Sequence, residues 1–420
     1  MPSLELSQQL YHYSIANNPI HNKFILGKLY NEASVAGRFY IDIGSRFSFN
    51  RLSPRTGEWS TPFPSLIMPS HAMPSYDATF SKSYEQVCDE RALDIKKIIN
   101  NDSTVKFALY YSGGMDSLTV LISLLKNLTE EELKKVTICL SMHSIAEYPT
   151  FYEKHIQGKF KIIDLTMGRV RYSELYEQGY TVITADEGDA MFGTEVSTQF
   201  YYSYKNFCKN LSADAVKKYG ELLNNVASTD VHYSVYADLL IAYFDYDQTP
   251  GFGKMYYEKL VRLSNTSQYE IHSLHDFFWQ IIFNIKWCHC ALRGPIFFGE
   301  TQNLKDALTN KVINWYNTND YQRWSMVNNN NGQKIRGVTS ATYKWAGRMY
   351  IYNFTKDDWY LNFKLKLASL PKIGPLKDVQ KAIDVGMRFA LDTNYEVIRL
   401  TDPGAKDYIW HHLTTCQVDW

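Results

Sequence analysis

Four short apolar runs stand close together in the first half of the chain: VKFALYY (105–111), VTICLS (136–141), FKIIDL (160–165) and YTVIT (180–184). Each has the length and β-branched or aromatic content of a buried strand. The stretches between them carry helical spacing, in LTVLISLLKNL (118–128), around 152–157 and around 172–177. A further helix is predicted over 84–100, where Val87, Leu93, Ile95, Ile98 and Ile99 recur at near-helical intervals. Strands alternating with helices predict an α/β fold, a doubly wound parallel sheet covered on both faces. Such sheets bind ligands where the strands end at their carboxyl side.

The flanks read differently. Residues 1–80 form a small extension with one expected strand at RFYIDIG (38–44) and turn punctuation after it. A main domain is expected over 81–373, α/β to about 195 and mostly helical beyond, where the strand signal fades and patterns such as SVYADLLIAYF and HDFFWQIIFNIKW take over. The run of asparagines at 328–331 marks an exposed loop. The tail, 374–420, holds one helical pattern at 377–392.

Composition narrows the possible partners. Aromatic residues reach 15%, with Tyr 32 and Phe 22, so the interior leans on rings whose hydroxyls need partners. Lys+Arg 44 balances Asp+Glu 44, which argues against nucleic acid. The six scattered cysteines suit reduced thiols in the cytoplasm rather than a disulfide framework. No signal peptide is visible at the start, and the most apolar later stretch is broken by Gln280, Asn284 and Lys286, so no membrane span is expected. Trp287–Cys290 (WCHC) is no zinc site, because adjacent helical positions cannot all face one ion.

Chemistry concentrates in two stretches. The first, Ser112-Gly113-Gly114-Met115-Asp116-Ser117, lies between a strand and a helix. A helix beginning there presents unpaired N–H groups and the positive end of its dipole, which suits an anion. Gly113 and Gly114 let backbone approach a phosphate, and Ser112 and Ser117 add hydroxyls. Asp116 would repel a bare phosphate, so its presence points to a divalent cation that neutralises the charge. The stretch resembles the S-G-G-x-D-S loop of the N-type ATP pyrophosphatases (the PP-loop superfamily). That resemblance implies an adenine nucleotide alpha hydrolase-like fold, a loop holding pyrophosphate, and ATP and Mg2+ as cofactors. The nucleotide set is then Ser112, Gly113, Gly114, Asp116, Ser117 and, at the end of the second strand, Ser141.

The second stretch, TADEGDAMFGTE from Thr184, crowds three acids at the end of the fourth strand, which is costly unless a cation or a proton relieves them. It is similar to the G-E-G-x-D-E-x-F-G segment of the asparagine synthetase group in Asp189, Phe192 and Gly193. The resemblance implies Asp189 as second metal ligand beside Asp116. It implies Asp186 as catalytic base, with Glu187 as the alternative in a shifted register, and Ala190 stands where the group has glutamate. Arg293 and Pro295 match a further element weakly. Lys364 and Lys366 resemble a late R-x-K element whose cations reach the phosphates and the acyl-adenylate. No cysteine follows the first methionine, so the implied glutaminase chemistry is missing. The implied activity is an AMP- and pyrophosphate-forming ligase joining a small-molecule carboxylate to ammonia or an amine, with a separate ammonia-supplying protein as a possible partner. The alternatives are another PP-loop adenylating enzyme, of nucleobase or tRNA modification, and a catalytically silent nucleotide-binding paralogue.

Overall fold

The structure is a computed structural model that describes residues 8–12, 66–70, 73–165, 172–186, 188–193, 200, 211–223, 231–247, 251, 253–285, 287, 311–327, 344–364, 389–390 and 397–398. The first two segments are strands, β1 (Gln8–His12) and β2 (Leu66–Ser70), paired antiparallel. The expected strand at 38–44, the asparagine loop and most of WCHC lie outside the described residues.

The α/β part begins with α1 (Tyr84–Asn101), whose start is fixed by a capping box. Ser83 Oγ accepts from the Gln86 backbone N–H at 3.2 Å, and Gln86 Oε1 accepts from the Ser83 N–H at 2.7 Å. Next come β3 (Lys106–Tyr110), α2 (Met115–Asn127), α3 (Glu130–Leu133), β4 (Val136–Leu140) and α4 (Met142–Glu147). They are followed by β5 (Lys161–Asp164), α5 (Tyr172–Glu177), β6 (Tyr180–Thr184) and α6 (Gly188–Phe192). The helical part holds α7 (Ala213–Leu223), α8 (Ala237–Asp247), α9 (Gly253–Ser264) and α10 (Leu274–Ile285). Then come β7 (Val312–Asn314), α11 (Asn319–Val327), α12 (Trp345–Thr355) and α13 (Asp358–Phe363).

Five strands form one all-parallel sheet in the order β5-β4-β3-β6-β7. Side chains along β3 alternate between the two faces. Phe107 and Leu109 join the large core under α1 and α2, while Ala108 and Tyr110 join a second cluster with Tyr172, Leu175 and Val182. Both faces are therefore covered, as a parallel sheet requires. Helix α2 is buried from Ser117 through Leu124 and packs against α1 and α12. The aromatic interior satisfies its polar tips locally: Trp315 Nε1–H donates to the Tyr321 hydroxyl at 2.7 Å, and the Tyr350 hydroxyl donates to Asp89 at 2.8 Å. Among the described residues no helix is long and apolar enough to cross a membrane.

Three elements differ from the sequence expectation. The helix after β4 starts at Met142 rather than near 152, because Ser141 and Ser144 form a capping box directly at the strand end. The chain continues through a short helix, Pro149–Phe151, into a π-helical turn at Tyr152–Ile156. A fifth strand, β7, lies where the strand signal had faded. Three residues are too few to show a period, and pairing with β6 creates this strand, with Thr184 opposite Asn314. In the tail, Phe389–Ala390, inside the stretch read as helical, pairs antiparallel with Val397–Ile398 beyond it. Gly386 lies just before that pair and weakens helical continuation.

Candidate active site

Strand order places the site. From central β3 the chain passes to β4 and β5 on one side, then returns to β6 and β7 on the other. The direction in which strands are added thus reverses between β3 and β6, and the carboxyl ends of those two adjacent strands are where an open parallel sheet is expected to take a ligand. Both acid-bearing loops arise there.

The loop after β3 is held tightly. Gly113 adopts φ +71°, and a β-carbon on it would lie 2.1 Å from the Ser144 carbonyl oxygen and 2.6 Å from Glu147 Cβ, so α4 presses directly on this residue. Gly114 is the N-cap of α2, with no side chain to cap the helix itself. Ser112 Oγ accepts from the Gly114 N–H at 3.2 Å, Ser117 Oγ accepts from the Ser112 N–H at 3.1 Å, and the Ser117 hydroxyl donates to the Gly114 carbonyl at 3.1 Å. The two serines therefore fix the loop's shape. Ser141 caps α4 beside it.

Asp116 sits in the first turn of α2, and Asp189 in the first turn of α6. The fold brings both carboxylates onto one cation, Lys344. Its ammonium donates to both oxygens of Asp116 at 2.7 Å and is also paired with Asp189 Oδ1. The Lys344 side chain is 4% exposed, against 26% for Asp116 and 23% for Asp189. Tyr316 donates its hydroxyl to the Asp116 backbone carbonyl at 2.7 Å, and burial raises that phenol well above its ordinary range, keeping it a donor. Gly188 allows the loops to meet, since a β-carbon there would fall 2.4 Å from Asp116 Oδ1.

Helix α6 is anchored from behind. Met191 O accepts from Trp279 Nε1–H at 3.1 Å and from the Ser325 hydroxyl at 2.7 Å, and Gly193 turns away at φ +64° against the Trp279 backbone and ring. Ala190, where the resembled motif has glutamate, is wholly buried in the core. Asp186 lies at the loop's start, half-buried, and its charge adds to burial in raising the Tyr172 phenol. Glu187 and Lys366 lie outside the described residues, as do Arg293 and Pro295.

A second ion pair underlies the glycine loop. Lys364 joins its ammonium to Glu147, whose side chain is fully buried, on the helix that presses on Gly113. Arg348 secures the backbone around that lysine by donating to the carbonyls of Tyr360 at 2.9 Å, Leu361 at 3.0 Å and Lys364 at 2.6 Å. These carbonyls close the end of α13. Tyr360 feels both pairs: burial raises its phenol first, and Arg348, Glu147, Asp116 and Lys344 act on it as charges.

Lys344, Glu147, Gly188, Arg348 and Tyr316 escaped the sequence reading. Their periodicity and composition are ordinary, and the one local signal is the Lys344/Arg348 spacing at the mouth of a helix. Paired, partly exposed carboxylates suit a hard divalent cation, which commonly takes one or two protein carboxylates and completes its shell with phosphate and water. Their shared grip on an ammonium shows that the pair already serves a cation. No protein-family model, no curated protein and no solved structure matches this chain.

Proposed function

We propose that the chain is an ATP-dependent, AMP- and pyrophosphate-forming ligase of the asparagine synthetase type. It activates a substrate carboxylate as acyl-adenylate for attack by ammonia or an amine. The observation that carries this reading is the convergence of Asp116 and Asp189 on one cation, beside a glycine loop, past the carboxyl ends of β3 and β6. A kinase-type loop would supply a lysine within the loop; here the cations Lys344 and Lys364 come from distant segments.

In this reading the Gly113 N–H and the first-turn N–H groups of α2 take the β and γ phosphates as the leaving unit, while the Ser112 and Gly114 N–H groups hold the loop's own shape. Asp116 and Asp189 hold magnesium, which when bound neutralises phosphate charge. Lys364, held by Glu147 and with its backbone secured by Arg348, would reach the phosphates by exchanging part of its grip on that carboxylate for phosphate oxygens. Asp186 or Glu187 takes the proton from the nitrogen nucleophile during amide formation.

Incubation of the purified chain with ATP, magnesium, ammonium and pooled carboxylic acids, read by mass, tests the reading. AMP and pyrophosphate are expected, together with an amide that identifies the acid. ADP with orthophosphate, or no nucleotide turnover on a broad panel, would overturn it.

A further inference from the structure

We propose that Lys344 is a resident counter-cation that excludes bare divalent metal from the two-aspartate site, so that metal enters only with nucleotide. The nucleotide in this statement rests on the ligase reading; the exclusion of metal rests on the chain's own geometry.

The ammonium occupies the place where the two carboxylates converge. It takes both oxygens of Asp116 at 2.7 Å and an oxygen of Asp189, and it is more buried than either acid. Its backbone is fixed as the N-cap of α12, where the Lys344 carbonyl accepts from the Arg348 N–H at 3.0 Å. The side chain still has a flexible four-carbon stem, so the ammonium can shift while the backbone stays.

Charge decides the consequence. Two carboxylates and one ammonium sum to a single negative charge. A dication bound to both acids would stand against the ammonium, and the like charges would repel at contact distance in a partly buried site. A polyphosphate reverses the balance, because it brings several negative charges and oxygens that accept from the displaced ammonium. Nucleotide and metal then raise each other's affinity, as linkage requires.

The competing account is a static ion pair that only ties α2, α6 and α12 together. Titration of the full chain with Mn2+, followed by the electron paramagnetic resonance of the free ion without nucleotide, separates the two. The wild type should show no binding at micromolar Mn2+. Lys344→Met and Lys344→Gln should each bind at least about tenfold more tightly, and Lys344→Arg should behave as wild type. Micromolar Mn2+ binding by the wild type alone would overturn the proposal, and this holds even if both variants fold poorly. Folded variants, checked by circular dichroism, that gain no Mn2+ affinity would overturn it as well. A parallel calorimetric titration with a non-hydrolysable ATP analogue, with and without Mn2+, addresses the nucleotide. Binding that requires Mn2+ is expected. Failure of the analogue to bind under either condition would sink the ligase reading, whereas metal exclusion by Lys344 is decided by the Mn2+ titrations.

Discussion

The backbone of Gly188 is the wall against which the Asp116 carboxylate rests: a β-carbon at 188 would stand 2.4 Å from Oδ1 and 2.6 Å from Cγ. One loop's glycine thereby sets the position of the other loop's acid. Gly188→Ala should displace Asp116 from Lys344 and cost about 1–3 kcal/mol, the range for forced overpacking. Gly158→Ala is the control. Unlike Gly188, Gly158 has a positive φ, +70°, that strains any β-carbon, but nothing lies within 4 Å of it, so Gly158→Ala should lose some stability and keep its turnover. Thermal unfolding of both variants checks this, and the expected pattern is loss of magnesium-dependent turnover in Gly188→Ala alone.

Asp116→Asn and Asp189→Asn should each lower AMP formation at least about a hundredfold, the order lost with one electrostatic stabiliser. Each single variant leaves Lys344 paired with the other of these two carboxylates. The double variant removes both from a buried ammonium and should cost about 3–5 kcal/mol in urea unfolding. Adding Lys344→Met to it should restore stability while turnover stays lost.

Glu147→Gln should destabilise the chain by about 3–5 kcal/mol, because it removes the carboxylate from a buried lysine. Lys364→Ala takes the lysine from the buried Glu147 carboxylate and should destabilise by a similar amount. The double variant Lys364→Met/Glu147→Gln removes both charges of the pair, so it is the one in which a loss of adenylate formation of about two to three powers of ten reads the lysine's own part. Substrate-dependent pyrophosphate exchange into ATP measures that step. A silent Lys364→Ala beside a damaging Lys366→Ala would move the role to Lys366.

Asp186→Asn should still support pyrophosphate exchange yet form little amide, while Glu187→Gln behaves as wild type. The reversed pair of phenotypes would assign the base to Glu187.

Stability should fall on the acid side through two imidazoles. Burial pushes His143 below its ordinary value, with Glu147 pulling the other way, and burial with Lys159 and Lys154 does the same to His155. A group whose folded pKa is lowered binds protons more readily in the unfolded chain. Unfolding is therefore favoured progressively as pH drops below about 6.5, the unfolded histidine value. The double variant His143→Gln/His155→Gln should flatten the slope of urea midpoint against pH between about 7 and 5.

Much of the fold was legible because it is written locally. Tyr172–Glu177 and Tyr180–Thr184 match their expected spans, and α1 differs from its expected span by one residue. Apolar spacing and end signals act within a few positions. The strand β7 and the early start of α4 were not legible, since one is defined by pairing with a strand far away in sequence and the other by two serines in a polar segment. The candidate site divided in the same way. Gly113, Gly114 and Asp116 stood out through their conflict of charge and shape, whereas nothing local singles out Glu147, and Lys344 is marked only by its spacing to Arg348.

The sequence by itself determined the parallel α/β core, the glycine loop at a strand end and the acids that follow two of the strands, because strand length, helix spacing and glycine placement act over a few residues. Only the tertiary structure decided that β3 and β6 are adjacent and that Gly188 touches Asp116. It alone also decided that Lys344, 228 positions after Asp116, closes both carboxylates. The reason is physical: an ion pair between distant segments depends on which faces the sheet order brings together and how deeply they are buried, and neither quantity exists until the chain has folded.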